Sequence, residues 1–97
     1  MPTFITLGNF TDQGIKAVKD TTKRAEAFKA AAKQAGVTVK EILWTQGQYD
    51  LITIIDAPDE ATASAIILSV GKLGNIKGTT LRGFTASEMN AILAKVP

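Results

Sequence analysis

Apolar and polar positions alternate through Thr3–Phe10 (TFITLGNF). Phe4, Thr6, Gly8 and Phe10 fall on one side and Ile5, Leu7 and Asn9 on the other, a pattern that predicts a strand with apolar groups on both faces. The period then lengthens. Thr11 and Asp12 offer a helix N-cap, and Ile15, Val18, Thr22, Ala25, Phe28, Ala32 and Ala35 recur at helical spacing until Gly36 stops the run. Asp20-Thr21-Thr22 interrupts this pattern, so a short helical segment to Lys19 and a longer one from Thr22 are expected.

The next stretch, EILWTQGQYDLITIID, holds two β-branched runs around the turn-forming segment Thr45-Gln46-Gly47-Gln48, with the single Trp and single Tyr of the chain at Trp44 and Tyr49. It predicts a β-hairpin of residues 37–45 and 49–56. Pairing Trp44 with Tyr49 across a four-residue turn sets Ile42 against Leu51 and Thr38 against Ile55, leaving Val39, Leu43, Ile52 and Ile54 on the other face. Ala57-Pro58-Asp59 ends the hairpin, and Asp59-Glu60 opens a second helix to about Leu73 that is apolar around most of its circumference. Gly74-Asn75 closes it. Residues 76–84 form a fourth strand in which Gly78 and Gly83 mark bulges or close backbone approaches, and Thr85-Ala86-Ser87-Glu88 has the capping-box spacing ahead of a short helix with Met89, Ile92, Leu93 and Val96 in one stripe.

The order β-α-β-β-α-β with a terminal helix is the ferredoxin-like, split βαβ arrangement of an α+β domain, with two helices on one face of a four-stranded antiparallel sheet. Residues 1–97 are read as one domain. Because the strands carry large apolar groups on both sides, the face away from the helices is expected to be covered by a second copy of the chain, as a homodimer or higher homo-oligomer. The hairpin face containing Ile42 and Leu51 is assigned to that contact.

Composition narrows the function. Apolar residues make up 45% and charged residues 21%, and no apolar run approaches the ~20 residues of a bilayer span, so no membrane partner is expected. The first ten residues lack the basic leader and apolar core of an export signal, and the chain has no Cys, which together point to the cytoplasm. With no His either, zinc, haem and His-based catalysis lose their usual side chains; no metal and no cofactor is expected. Lys16, Lys19, Lys23, Arg24, Lys29 and Lys33 place six of eleven basic residues along one helical stretch, but Asp12, Asp20 and Glu26 are interleaved with them. The net charge is only +2, so the stretch reads as a solvated face and not as a nucleic-acid site.

With these features in place, PTFITLGNFTDQGI, KRAEAFKAAAKQAG, LWTQGQYDLITIIDAPDEATA and LGNIKGTTLRGF together resemble the GYD family of small bacterial proteins over essentially the whole length. The Gly, Tyr and Asp of its name correspond to Gly47, Tyr49 and Asp50. The resemblance implies a dimeric α/β barrel, in which two ferredoxin-like sheets face each other. It does not select a chemistry, since that wider superfamily includes cofactor-independent oxygenases, muconolactone-type isomerases, haem enzymes and amino-acid-sensing modules.

Asn9, Trp44, Tyr49, Asp50 and Arg82 are the candidate ligand-binding residues. Trp44 and Tyr49 offer apolar walls with polar handles for a small molecule, or else a cross-strand aromatic pair that sets the hairpin register. Asp50 is a general base if desolvated and otherwise a turn residue bonded to backbone amides. Arg82 suits a carboxylate clamp or an ion pair between subunits. Ser69-x-x-Lys72 matches the spacing of serine acyl-transfer enzymes without their other motifs, and Asp56, Asp59 and Glu60 gather acids that the start of a helix favours without any cation. Two functions follow. One is an oligomeric small-molecule-binding or assembly module; the other is a cofactor-independent isomerase, lyase or oxygenase acting on a small organic acid, with Asp50 or Tyr49 moving the proton.

Overall fold

The N-terminal strand forms as β1, Thr3–Phe10, and every later part of the sheet is placed against it. The computed structural model describes all residues from Met1 to Pro97. After β1 come α1 (Asp12–Lys16), a 3-10 turn (Val18–Asp20), α2 (Thr21–Gln34), β2 (Thr38–Trp44), β3 (Leu51–Asp56), α3 (Glu60–Gly71), β4 (Ile76–Gly83) and α4 (Ala86–Leu93). The strand order is β2-β3-β1-β4 with every neighbouring pair antiparallel, which is the ferredoxin-like α+β order. Within one chain the sheet is open and is not closed into a barrel.

Local chemistry sets the boundaries. Thr11 is the N-cap of α1: its Oγ1 accepts from the Gly14 N–H (3.1 Å) while its hydroxyl donates to the Gly74 carbonyl (2.6 Å), so one side chain starts a helix and ties it to the α3–β4 connection. The interruption expected at Asp20-Thr21-Thr22 is the 3-10 turn that re-aims the chain into α2. Gly36, at φ +75°, takes the left-handed position after α2 that side chains resist. Asp59 caps α3 by accepting from the Thr62 N–H (2.7 Å), and Thr85 and Glu88 complete the capping box of α4.

The core lies between the sheet and the α2–α3 layer. Phe4 and Ile55 face each other on β1 and β3, and beneath the helices they meet Ala32, Val37, Ala57, Ala63 and Ile66, with Phe28, Val39 and Ile67 packed around them. Alanine at the closest points of α2 and α3 lets both helices approach the sheet. Only 10 of the 97 residues are buried, a small core for a chain of this length.

The hairpin differs from expectation in register. Trp44 opposes Leu51 and not Tyr49, and Ile42 opposes Thr53. The connection is six residues long, residues 45–50, closed by Thr45 N–H to the Asp50 carbonyl (2.8 Å) and Thr45 Oγ1–H to the Tyr49 carbonyl (2.6 Å), with Gly47 at φ +99°. Asp50 bonds across the hairpin through its carbonyl and serves β1 through its other groups. Its N–H donates to the Gly8 carbonyl (2.9 Å) and its Oδ2 accepts from the Phe10 N–H (2.9 Å). Near the other end of β2, a bulge at Lys40 sets Val39 opposite Ile55 and Thr38 opposite Asp56, so Val39 lies on the helix side and not with Leu43.

The two hairpin faces are also exchanged relative to expectation. Leu51 and Ile55 lie under the helices, so the face carrying Ile42 and Leu51 is the covered one, and the open face carries Ile5, Leu7, Leu43, Ile52, Ile54 and Leu81. Aliphatic groups on both sides gave no polar mark of the outer face. The decision comes from the handedness of the β1–α2–β2 crossover, which puts both helices on one side.

Gly14 makes the tightest contact of the connection layer, because a Cβ there would stand 2.0 Å from the Asn75 carbonyl oxygen. Gly14→Ala is expected to displace α1 from residues 73–75 and to lower stability by about 1–3 kcal/mol or more. Urea denaturation of the variant checks this; an unchanged midpoint contradicts the seating of α1 on Asn75.

Candidate functional site

Four of the five residues singled out from the sequence lie at the turn end of the sheet, though not all on one face. Trp44 ends β2, and its indole N–H donates to the Oγ1 of Thr21 (2.9 Å), the first residue of α2, while the residue stays 43% exposed. Tyr49 and Asp50 occupy the hairpin connection, both half-buried, with the Asp50 carboxylate held on the Phe10 N–H. Asn9 is close by along β1 but projects from the open face, opposite Lys77 on β4. Trp44 projects from the helix face, so the sheet itself separates the two side chains.

Arg82 lies at the other end of the sheet. It opposes Phe4 on the helix side, about 16 Å along β1 from Asn9 at ~3.3 Å per residue. Its guanidinium stands 4.5 Å from the centroid of Phe84 and 5.6 Å from that of Phe4, reaches the carbonyls of Gly83 and Thr3, and pairs with Glu88 at 3.5 Å. Phe84 and Glu88 were not singled out from the sequence as site residues. The capping-box spacing marked Glu88 as a helix-start group, but nothing local signalled that it would also hold Arg82.

The Thr85 N–H donates to Glu88 Oε1 (2.9 Å), and this bond above all, helped by the Thr85 hydroxyl and then by the Arg82 guanidinium, holds the Glu88 carboxyl below the ordinary glutamate value against the opposing effect of desolvation. The Thr62 N–H does the same for Asp59. Elsewhere side-chain chemistry is directed inward. Ser69 Oγ donates to the Ile66 carbonyl (2.7 Å), and Asp56 accepts from Thr3 Oγ1 (2.7 Å) with Lys40 at 3.8 Å. No three acidic side chains converge as a metal cluster.

Two shallow grooves flank α3. One, of about 400 Å³, runs along Ala35, Ala61, Ala65 and Ser69 towards the end of α2. The other, of about 440 Å³, lies between α3 and β4 and is lined by Phe4, Ala63, Ile67 and Leu68 with Glu60 and Arg82 as its charged groups. Both are open to solvent, and neither takes in Trp44, Tyr49 or Asp50. The main surface features are apolar instead. They are the open sheet face, Leu68 on the outside of α3, and Phe84 with the α4 stripe of Met89, Ile92, Leu93 and Val96.

This arrangement can be set beside known proteins. Residues 4–93 match the model of the GYD domain. The chain belongs to the GYD family. This GYD chain is also similar to the glutamine synthetase and cystathionine beta-lyase binding protein of Thermus thermophilus, with 31% identity over 94 residues that cover 96% of this chain and 99% of that protein. No solved structure matches it. No helix of the GYD chain is long and apolar enough to cross a membrane.

The lowered pKa of Glu88 gives α4 a pH dependence of known sign. A carboxyl depressed by folding contributes stability above its unfolded pKa of about 4.3, and that contribution is lost as pH falls through the lower folded value. Protection of the α4 amides, taken relative to their intrinsic exchange rates, is therefore expected to fall below about pH 4 before that of the core strands, and Glu88→Gln should flatten the profile. Uniform exchange across α4 and the sheet through that range contradicts it.

Proposed function

We propose that this GYD chain is a homo-oligomeric assembly module: two copies stack their open sheet faces, and the surfaces left outside bind another protein. The observation that carries the reading is the open face itself, with six aliphatic side chains and no element of the chain over them. Surface area supports it. A compact monomer of 10.3 kDa exposes about 5,400 Å², whereas this chain exposes 6470 Å². The excess exceeds the ~800 Å² that each partner gives to a standard interface. The radius of gyration, 14.6 Å, lies above the ~12.5 Å of a compact chain of this length.

Binding of another protein is supported by the relative, whose name assigns it glutamine synthetase and cystathionine beta-lyase as partners. Large apolar surfaces with shallow grooves suit protein contacts better than they suit enclosure of a small molecule. The Asp50 carboxylate, bonded to a backbone amide, favours a structural use of the hairpin connection over proton transfer. Asn9, Trp44 and Tyr49 then supply contact surface at the turn end of the sheet, and Arg82 braces α4.

Sedimentation velocity at low micromolar concentration is expected to give a dimer or a multiple of it. Ile54→Asp, on the open face, should raise the dissociation constant by about a hundredfold or more while leaving the helical signal intact, since a charge at an interface centre costs several kcal/mol. Leu51→Asp should instead unfold the chain. Titration calorimetry with the glutamine synthetase and the cystathionine beta-lyase of the same organism tests the second half of the reading. A stable monomer refutes the stacked sheets, and absence of heat with both enzymes refutes these partners.

A further inference from the structure

α4 is the one helix that buries nothing. Its capping box is complete, so it is a formed helix, yet Met89, Ile92, Leu93 and Val96 lie exposed along one stripe. Its start is fixed to the rim of the α3–β4 groove, because Arg82 lines that groove while pairing with Glu88 and stacking on Phe84. Groove and helix therefore sit side by side at one end of the molecule, the groove lined by Phe4, Ala63, Ile67 and Leu68. Their free charges are complementary: Glu60 borders the groove without an ion-pair partner, and Lys95 follows α4 equally unpaired.

We propose that α4 is an exchanged arm, its apolar stripe seated in the α3–β4 groove of a second copy of this chain. Two observations favour a second copy over closure onto the chain's own groove. The Arg82–Glu88 and Arg82–Phe84 contacts hold the root of α4 beside its own groove with the stripe outside it, and exchange keeps both contacts whereas folding back breaks them. Because the arm's root adjoins the groove, one two-fold axis near Arg82 satisfies both arms and both grooves at once, as an isologous contact requires. The inference rests on the homo-oligomeric reading for the presence of a second copy, but it concerns a different surface from the stacked sheets.

The natural chain contains no Cys, so disulfide trapping reads directly. Leu68→Cys chains are mixed with Leu93→Cys chains under mild oxidation, with Leu68→Cys mixed with Lys23→Cys as the control. The expected result is a disulfide-linked heterodimer of the first pair forming at least about tenfold faster than the control. The double variant Ile92→Glu, Leu93→Glu should weaken self-association at least about tenfold with an unchanged sheet signal, since no residue of α4 is buried in its own chain. In a third preparation, a chain carrying both Leu68→Cys and Leu93→Cys, a crosslink that forms only within the chain places the arm in its own groove and overturns the exchange. So does a crosslink only between two Leu93→Cys chains, or none at all in a preparation that sediments as a dimer. In those three cases the stacked-sheet reading stands, whereas monomeric sedimentation at every concentration removes both.

Discussion

The structure depends on β1 being paired along both edges. Thr3 to Gly8 form a ladder with β3 and Thr3 to Phe10 with β4, so one eight-residue strand joins segments about fifty and about seventy positions later in the chain. Until those ladders form, α2 and α3 have no surface to lie on, and neither α1 nor the hairpin connection has its anchor. Gly78 enters the same constraint, since its α-carbon passes so near β1 that a side chain there would sit 2.6 Å from the Leu7 carbonyl. Folding must close long loops before the core rewards them, which makes this topology slower to form than a helical domain of equal size.

The elements were legible because each is announced within a few residues. Thr11, Asp59 and the Thr85–Glu88 pair cap the helices, Gly36 and Gly74 end them, and the strand periods are clean. The GYD resemblance was legible for the same reason, as its motifs are runs of neighbouring residues. What was not legible was every choice that depends on a distant partner. The hairpin register is shifted by two from the pairing of Trp44 with Tyr49, and the Asp50 carboxylate at its turn is engaged by the amide of Phe10, forty positions earlier. The bulge at Lys40 moved Val39 to the covered face. With aliphatic residues on both sides of β1 and β3, only the handedness of the crossover separated inside from outside. Among the candidate site residues, Arg82 parted from the others because the antiparallel pairing of β1 and β4 carries it to the opposite end of the sheet.

The small core has an energetic counterpart. Helix apposition is mediated by alanines at Ala32 and Ala63, which permit close approach but bury little area each. The larger aliphatic groups are concentrated where this chain alone has nothing to set against them. Anything that covers the open face of the folded chain and does not bind the unfolded one adds to the stability of the folded state, by an amount set by its concentration and affinity.

The bulge at Lys40 bears on a different hazard. A sheet with two free edges and an aliphatic face is a template for strand-by-strand growth into fibrils, where the next chain docks on exposed backbone groups at the edge. β2 is one of those edges. There the extra residue breaks the regular spacing of backbone donors and acceptors, and Lys40, drawn towards Asp56, and Glu41 place charge beside the break. An incoming strand meets an irregular, charged border, so the sheet is discouraged from lengthening sideways while its flat face stays open to a mate.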